Sequence, residues 1–321
     1  MSTPNKSEIP IKHHFVPKFY LENFSIPNSE PLNLWVQQVG KPPRLSTPKK
    51  EGYERNLHTI LTKDGTEDRS LEFALVEKEG IAASIIKKII KDKGGQNMSQ
   101  SERLNFAFFI GLMLVRTPQF FTEIKRMTAI YNDALTKALN GDTEQLAKLA
   151  AAAKMGTAEE FLKNRSKEAI KDWLKQDKMH TYMHLISMES LANTHAKKIY
   201  EDMGWYYLLA PEGYEYCTCD DPVIRWSPND TEGWRHGIGH EETQIFFPIS
   251  PQICFFAKRG RITQSDSVQF INELIVWQAQ RFVYSSSENP EINIYLKQRE
   301  DLEKVQPRKV VIDSRFKPLE S

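Results

Sequence analysis

From Leu71 to Asp202 the chain carries a single proline, Pro118, and its apolar residues recur at helical spacing. A stretch of that length so low in glycine and proline is not built from short strands, so it predicts a large helical block over about 71–203. Inside it lies FAFFIGLMLV, residues 106–115. Ten apolar residues are too few to span a membrane and predict a buried helix. Ser99 and Glu102 have the spacing of a capping box ahead of it. KDKGG closes the preceding helix with basic residues and then glycines, and Gly80 is a weak point within that helix. Pro118 is expected to end or kink the apolar helix.

Strand signals flank the block. LNLWVQQV, residues 32–39, alternates as a strand does, and KPPRLSTP after it reads as loop. Downstream, WYYLLAP, EYCTCDDPVIRW, TQIFFPISPQICFFAK and RFVYSS read as strands and turns. SDSVQFINELIVWQAQ reads as an amphipathic helix, and INIYLKQR and PRKVVIDS as final strands. The expected fold class is α+β. N- and C-terminal strand regions share a mixed or antiparallel sheet, with the helical block inserted between them. Residues 1–12 are expected to form a flexible tail and 13–321 one domain.

Forty-three basic residues oppose 42 acidic ones, a formal charge of +1. That excludes a strongly basic nucleic-acid coat but leaves room for a local basic cleft. Lys87, Lys88, Lys91 and Lys93 form a basic helix end, read as a solvated face or a nucleic-acid contact. The first residues lack a long apolar core, so no secretory signal, no membrane partner and a cytoplasmic location are expected. Three cysteines, Cys217, Cys219 and Cys254, read as reduced and buried. Cys217, Cys219, His236 and His240 contain zinc-type ligands, but their spacing is not that of a finger, so zinc is not expected. His180, His184 and His195 read as helical surface or interhelix contacts. The dinucleotide, phosphate-loop, metalloprotease and serine-elbow signatures are absent.

The segment HHFVPKFYLENF resembles a bacterial family, the domain of unknown function numbered 4238. His14, Phe15, Val16 and Pro17 match its HYVP-like opening, and Tyr20, Leu21 and Phe24 its YL..F element. Glu79 matches an acidic position in the first core helix, and Arg116-Thr117-Pro118 an Arg-Thr-Pro element. Cys219-Asp220-Asp221-Pro222 matches a Ser-Asp-x-Pro-like element, with cysteine where serine is usual. Residues 247–251 match an FPLSP-like element, and Asn272 an asparagine in the helix that follows. The resemblance spans about residues 11–285 and implies membership without an activity.

Chemistry is therefore read from the residues. His14 lies before Val-Pro on a restricted backbone and can act as a base or meet a phosphate. His13 is expected to be exposed. Arg116 emerges from the apolar helix and needs a carboxylate or an anion. Gln119 can join it one turn on. Asp220 stands at a strand end, where it can activate water or hold a divalent metal. The candidate catalytic residues are thus His14, Asp220 and Glu79, and the candidate substrate-binding residues Arg116, Gln119 and Asn272. Three readings stay open: a phosphate-directed hydrolase or nuclease-like enzyme, a non-catalytic domain that binds an anion, nucleic acid or protein partner, and a structural polar network. No metal site is assigned, although a divalent metal remains compatible with the first reading.

Overall fold

The computed structural model describes residues 12–57, 59–61, 67–68, 70–152, 167–174, 179–228, 237–260 and 267–305. Side chains of 60–61, 67–68, 70–73, 149–152, 167, 173, 179–187 and 305 are outside that description. The fold is α+β, with the helical block between N- and C-terminal strand regions.

The N-terminal region contains β1 (Lys12–His14), α1 (Lys18–Glu22), β2 (Leu34–Gln38), β3 (Lys41–Ser46), β4 (Tyr53–Arg55) and the short pair β5 (Ile60–Leu61) and β6 (Glu67–Asp68). The helical block follows: α2 (Ser70–Asp92), α3 (Gln100–Val115), α4 (Pro118–Leu139), α5 (Glu144–Ala152), α6 (Lys167–Leu174) and α7 (Met179–Asp202). The C-terminal region adds β7 (Gly204–Leu209), β8 (Thr218–Cys219), β9 (Ile224–Trp226), β10 (Gln244–Ser250), β11 (Ile253–Lys258), α8 (Val268–Gln278), β12 (Val283–Ser285) and α9 (Pro290–Val305).

Two antiparallel four-stranded sheets organise these elements, in the orders β3-β2-β12-β8 and β7-β11-β10-β9. In the first, β2 pairs with β12 through Gln37 opposite Val283 and Val36 opposite Tyr284. N- and C-terminal strands therefore do share a sheet. The second sheet is wholly C-terminal, and β1 and β4 form a ribbon of their own.

The two central strands of the second sheet, β10 and β11, are buried on both faces, which explains why they read as continuous apolar runs. Phe246 stacks on Phe256 at 4.8 Å on the face covered by α8, while Phe247 and Phe255 pair on the opposite face beneath α3. There Phe106 of α3 meets Phe255 edge-on at 5.2 Å. Helix α3 packs most extensively against α7, so the apolar run of 106–115 lies between a helix and a sheet. Residues of α4, α5 and α6 form a smaller separate cluster.

Three sequence expectations change. KPPRLSTP is not loop throughout: Lys41–Ser46 forms β3, an edge strand whose prolines fall in a register irregularity opposite Gln37. An edge with a bulge is where a sheet accepts residues lacking N–H groups. INIYLKQR is not a strand but part of α9; Ile292 and Leu296, four apart, turn one helical face inward. His13 is fully buried, whereas His14 is half-buried, because β1 alternates in the ribbon with β4. PRKVVIDS lies outside the described residues.

Among the described residues no single helix is long and apolar enough to cross a membrane. Taken together, α3 and α4 would pass by length and composition but are bent by 63°.

Candidate functional site

The bend between α3 and α4 follows directly from Arg116-Thr117-Pro118. Arg116 caps α3 with φ −97° and ψ 0°, its N–H still bonded to Leu112 C=O at 3.1 Å. Thr117 swings to an extended conformation and its hydroxyl accepts from Phe120 N–H at 3.2 Å. Pro118 opens α4 at the position where a missing N–H costs nothing.

At this elbow the Arg116 side chain is 1 % exposed. One terminal nitrogen, Nη1, pairs with Glu79 Oε1 of α2 at 2.8 Å, and Nη2 donates to the backbone carbonyl of His14 in β1. One guanidinium thus ties together β1, α2 and the elbow. Its Nε has no hydrogen-bond partner among the described residues. Burying a cation is costly unless it is paired, and removing one partner of such a pair costs about 3–5 kcal/mol. Glu79 remains 21 % exposed, so the pair opens towards solvent at its acidic end.

His14 offers its imidazole edge-on to Tyr53, its partner across the β1–β4 ladder, at 5.7 Å. Lys12, two residues before His14 on the same strand, places its ammonium 4.4 Å from the Tyr53 ring centre. The β1 chain is fixed just beyond His14, where the N–H groups of Phe15 and Val16 both reach Gly52 C=O. Gly52 has φ +64° and a Cβ there would stand 2.9 Å from the Val16 carbonyl, so the position requires glycine.

The remaining candidates make their bonds elsewhere. Gln119 uses its amide on Glu123 Oε1, 2.9 Å away on α4. Asn272 of α8 accepts from Cys217 N–H and donates to Glu215 C=O, each at 2.9 Å, and so stands in for a strand partner. Asp220 is buried and accepts three backbone N–H bonds, from Gln280 at 2.7 Å, Arg281 at 2.8 Å and Phe282 at 3.3 Å. Its carboxyl holds the turn between α8 and β12. Burial pushes its pKa up to about 6, against the pull of those N–H donors.

The structure therefore brings Glu79 and the His14 backbone carbonyl to Arg116, while the His14 imidazole packs on Tyr53. Asp220 is linked to them only indirectly: Arg281, whose N–H it binds, sends its guanidinium to Glu54 at 3.0 Å, and Glu54 faces His13 in the ribbon. Two surface hollows of about 640 and 480 Å³ lie apart from this cluster; Asn272 lines the larger, and none of the other five candidates lines either.

Sequence reasoning quoted Tyr20 without giving it a role. Its hydroxyl bonds both Thr218 Oγ1 at 2.7 Å and Pro248 C=O at 2.5 Å, and its ring stacks on Phe247 at 5.1 Å. The N-terminal motif, the strand before Asp220 and the Phe247-Pro248 segment converge on this one side chain. The signal was present only as a tyrosine in an apolar helix; its partners lie 198 and 228 residues away.

Cys217, Cys219 and Cys254 are buried free thiols. Burial pushes the Cys217 and Cys219 thiols well up, which suppresses the nucleophilic thiolate. Among the described residues no three His, Cys, Asp or Glu side chains gather into a metal-ligating group. His236, and the side chains of His180 and His184, lie outside them.

A family model described as protein of unknown function (DUF4238) matches residues 12–289, from the first residue of β1 to the residue before α9. The chain belongs to DUF4238. No curated protein and no solved structure matches it. In this DUF4238 chain the matched span contains every residue that meets at Tyr20 and at Arg116.

Proposed function

We propose that this DUF4238 protein recognises a phosphate-bearing ligand, a small molecule or a nucleic acid, at the Arg116–Glu79–His14 cluster. The observation that carries the reading is Arg116 itself. It is almost wholly buried and paired, yet keeps Nε without a hydrogen-bond partner among the described residues. A guanidinium held in place by a carboxylate is pre-organised for a tetrahedral oxyanion, because part of the cost of ordering it is already met by the fold. His14 holds the guanidinium through its backbone carbonyl, and its half-buried imidazole is the second group offered to phosphate oxygen.

Recognition is favoured over hydrolysis because both candidate catalytic carboxylates are engaged. Asp220 accepts three N–H groups and Glu79 pairs with Arg116. In the hydrolase reading His14 would move the proton, with or without a divalent metal. Cytoplasmic residence fits either version. A structural-network reading is favoured for Asp220 and Asn272 by their bonds to backbone.

Thermal unfolding with inorganic phosphate, nucleotides and short RNA or DNA tests the proposal. Glu79→Gln removes the carboxylate that competes with an anion for Arg116. It should lower stability without ligand yet bind the phosphate ligand about threefold to tenfold more tightly than wild type. If neither wild type nor Glu79→Gln responds to any phosphate ligand, the cluster is structural. Turnover that disappears in His14→Ala would replace recognition with hydrolysis.

A further inference from the structure

At the opposite end of α3 lies the hollow of about 480 Å³, within the size range of small-ligand sites. Its construction starts from the KDKGG segment. Lys93 takes φ 53°, its N–H bonds Ile90 C=O, and Gly94 N–H bonds Ile89 C=O at 3.0 Å, which together end α2 in a left-handed cap. The chain then passes directly against Tyr207 of β7. A Cβ on Gly95 would stand 2.3 Å from the Tyr207 hydroxyl oxygen, so this approach needs glycine. The Tyr207 hydroxyl is fixed on Met98 Sδ at 3.4 Å.

The other wall is aromatic and cationic. β7 is an edge strand, and its Trp205, Tyr206 and Tyr207 line the hollow. Trp205 is held by its indole N–H on Ile199 C=O at 2.9 Å. The Arg103 guanidinium lies over that indole, 4.2 Å from the ring centroid. Arg103 and the exposed Lys93 form no ion pair among the described residues, and no acidic side chain lines the hollow. Lys87 and Lys91, exposed one turn apart on α2, extend the positive charge beside it.

We propose that this hollow is a nucleotide site: a base lies against the Arg103–Trp205 stack beside Tyr207, on the same face of β7, and its phosphate meets Arg103 and Lys93. Bases stack on aromatic rings and on guanidinium planes alike, and a guanidinium already ordered by an indole keeps its N–H edges for phosphate. The open edge of β7 would also admit an added peptide strand. The conjunction of planar rings with two cations that form no ion pair among the described residues favours a ligand that is both aromatic and anionic. The site is separate from the Arg116 cluster: Arg103 and Arg116 are 13 residues apart on and at the end of one helix, about 20 Å.

Calorimetric titration of the full chain with a nucleoside monophosphate, a short single-stranded oligonucleotide, inorganic phosphate and an acidic peptide tests this. Saturable binding of the nucleotide is expected, weakened about tenfold by Arg103→Gln and several-fold by Lys93→Glu. Binding of the oligonucleotide tighter than the mononucleotide, with strong salt dependence, would identify a strand as the source; equal or weaker binding would identify a free nucleotide. Lys93→Glu changes an exposed residue and keeps the test valid if Arg103→Gln unfolds. Failure of both nucleotide and oligonucleotide to bind would overturn the proposal. So would binding indifferent to both substitutions, or a preference for the acidic peptide. A response to inorganic phosphate that Arg116→Lys removes and Arg103→Gln leaves belongs to the other end of α3.

Discussion

Asp220 and His195 are drawn away from their ordinary titration ranges by the same cause, burial, and in opposite directions. Asp220 rises from 3.8 to about 6, and His195 falls from 6.5 to about 4, helped by the nearby cations Arg225 and Lys198. Their effects on stability have opposite signs. The unfolded chain ionises Asp220 first, so its contribution is lost as pH rises from about 4 to about 6. The unfolded chain protonates His195 first, so its contribution is lost as pH falls from 6.5 to about 4. Within that window the two terms offset each other. His195→Leu should therefore leave a melting temperature that falls as pH rises through the window, and Asp220→Asn one that rises; an unchanged profile in both would refute the linkage. Neither shift was legible in the sequence. His195 reads as one of several polar residues on a helix, and Asp220 as a reactive carboxylate at a strand end. Only the fold shows that three amides of a turn sixty residues later converge on it.

Elements were legible where a local rule decides them. The Ser99–Glu102 capping box forms as read: Ser99 Oγ accepts from Glu102 N–H at 3.2 Å, and Glu102 Oε2 from Ser99 N–H at 2.7 Å. Glu102 also pairs with Lys88 at 2.9 Å, and these bonds hold its carboxyl down to about 2. Pro118 ends one helix and opens the next as its chemistry demands. Where long-range pairing decides, local rules failed: β3 exists because β2 offers it an edge, and α9 has strand-like residues but an inner helical face. Tyr20 shows the same dependence, since α1 is only five residues long and is secured by contacts distant in sequence. Tyr20→Phe should cost about 2 kcal/mol in chemical denaturation, because it leaves Thr218 and Pro248 C=O short of a buried partner. A loss below about 0.5 kcal/mol would show that ring packing alone holds α1.

At the scale of the whole molecule, the chain leaves the first sheet, builds the helical block, starts a second sheet with β7, returns to the first for β8, completes the second with β9, β10 and β11, and closes on the first through β12. The broad α+β plan follows from the switch between helical and strand periodicity. The division into two sheets does not, because partner choice among apolar strands is not written in any one of them. In the sequence Arg116 needs an anion or a carboxylate, and in the fold it has the carboxylate; what brings the His14 carbonyl to it is the docking of the β1–β4 ribbon. The cluster thus sits where the N-terminal ribbon meets two core helices, and the proposed recognition rests on that guanidinium having capacity to spare. The most direct measurement is the nitrogen-15 spectrum of arginine-labelled protein, with the Arg116 Nε–H signal assigned by its loss in Arg116→Lys. Addition of a phosphate-bearing ligand should shift that signal in a saturable way while the fold stays intact. A signal that does not move at saturating ligand would contradict anion recognition at Arg116.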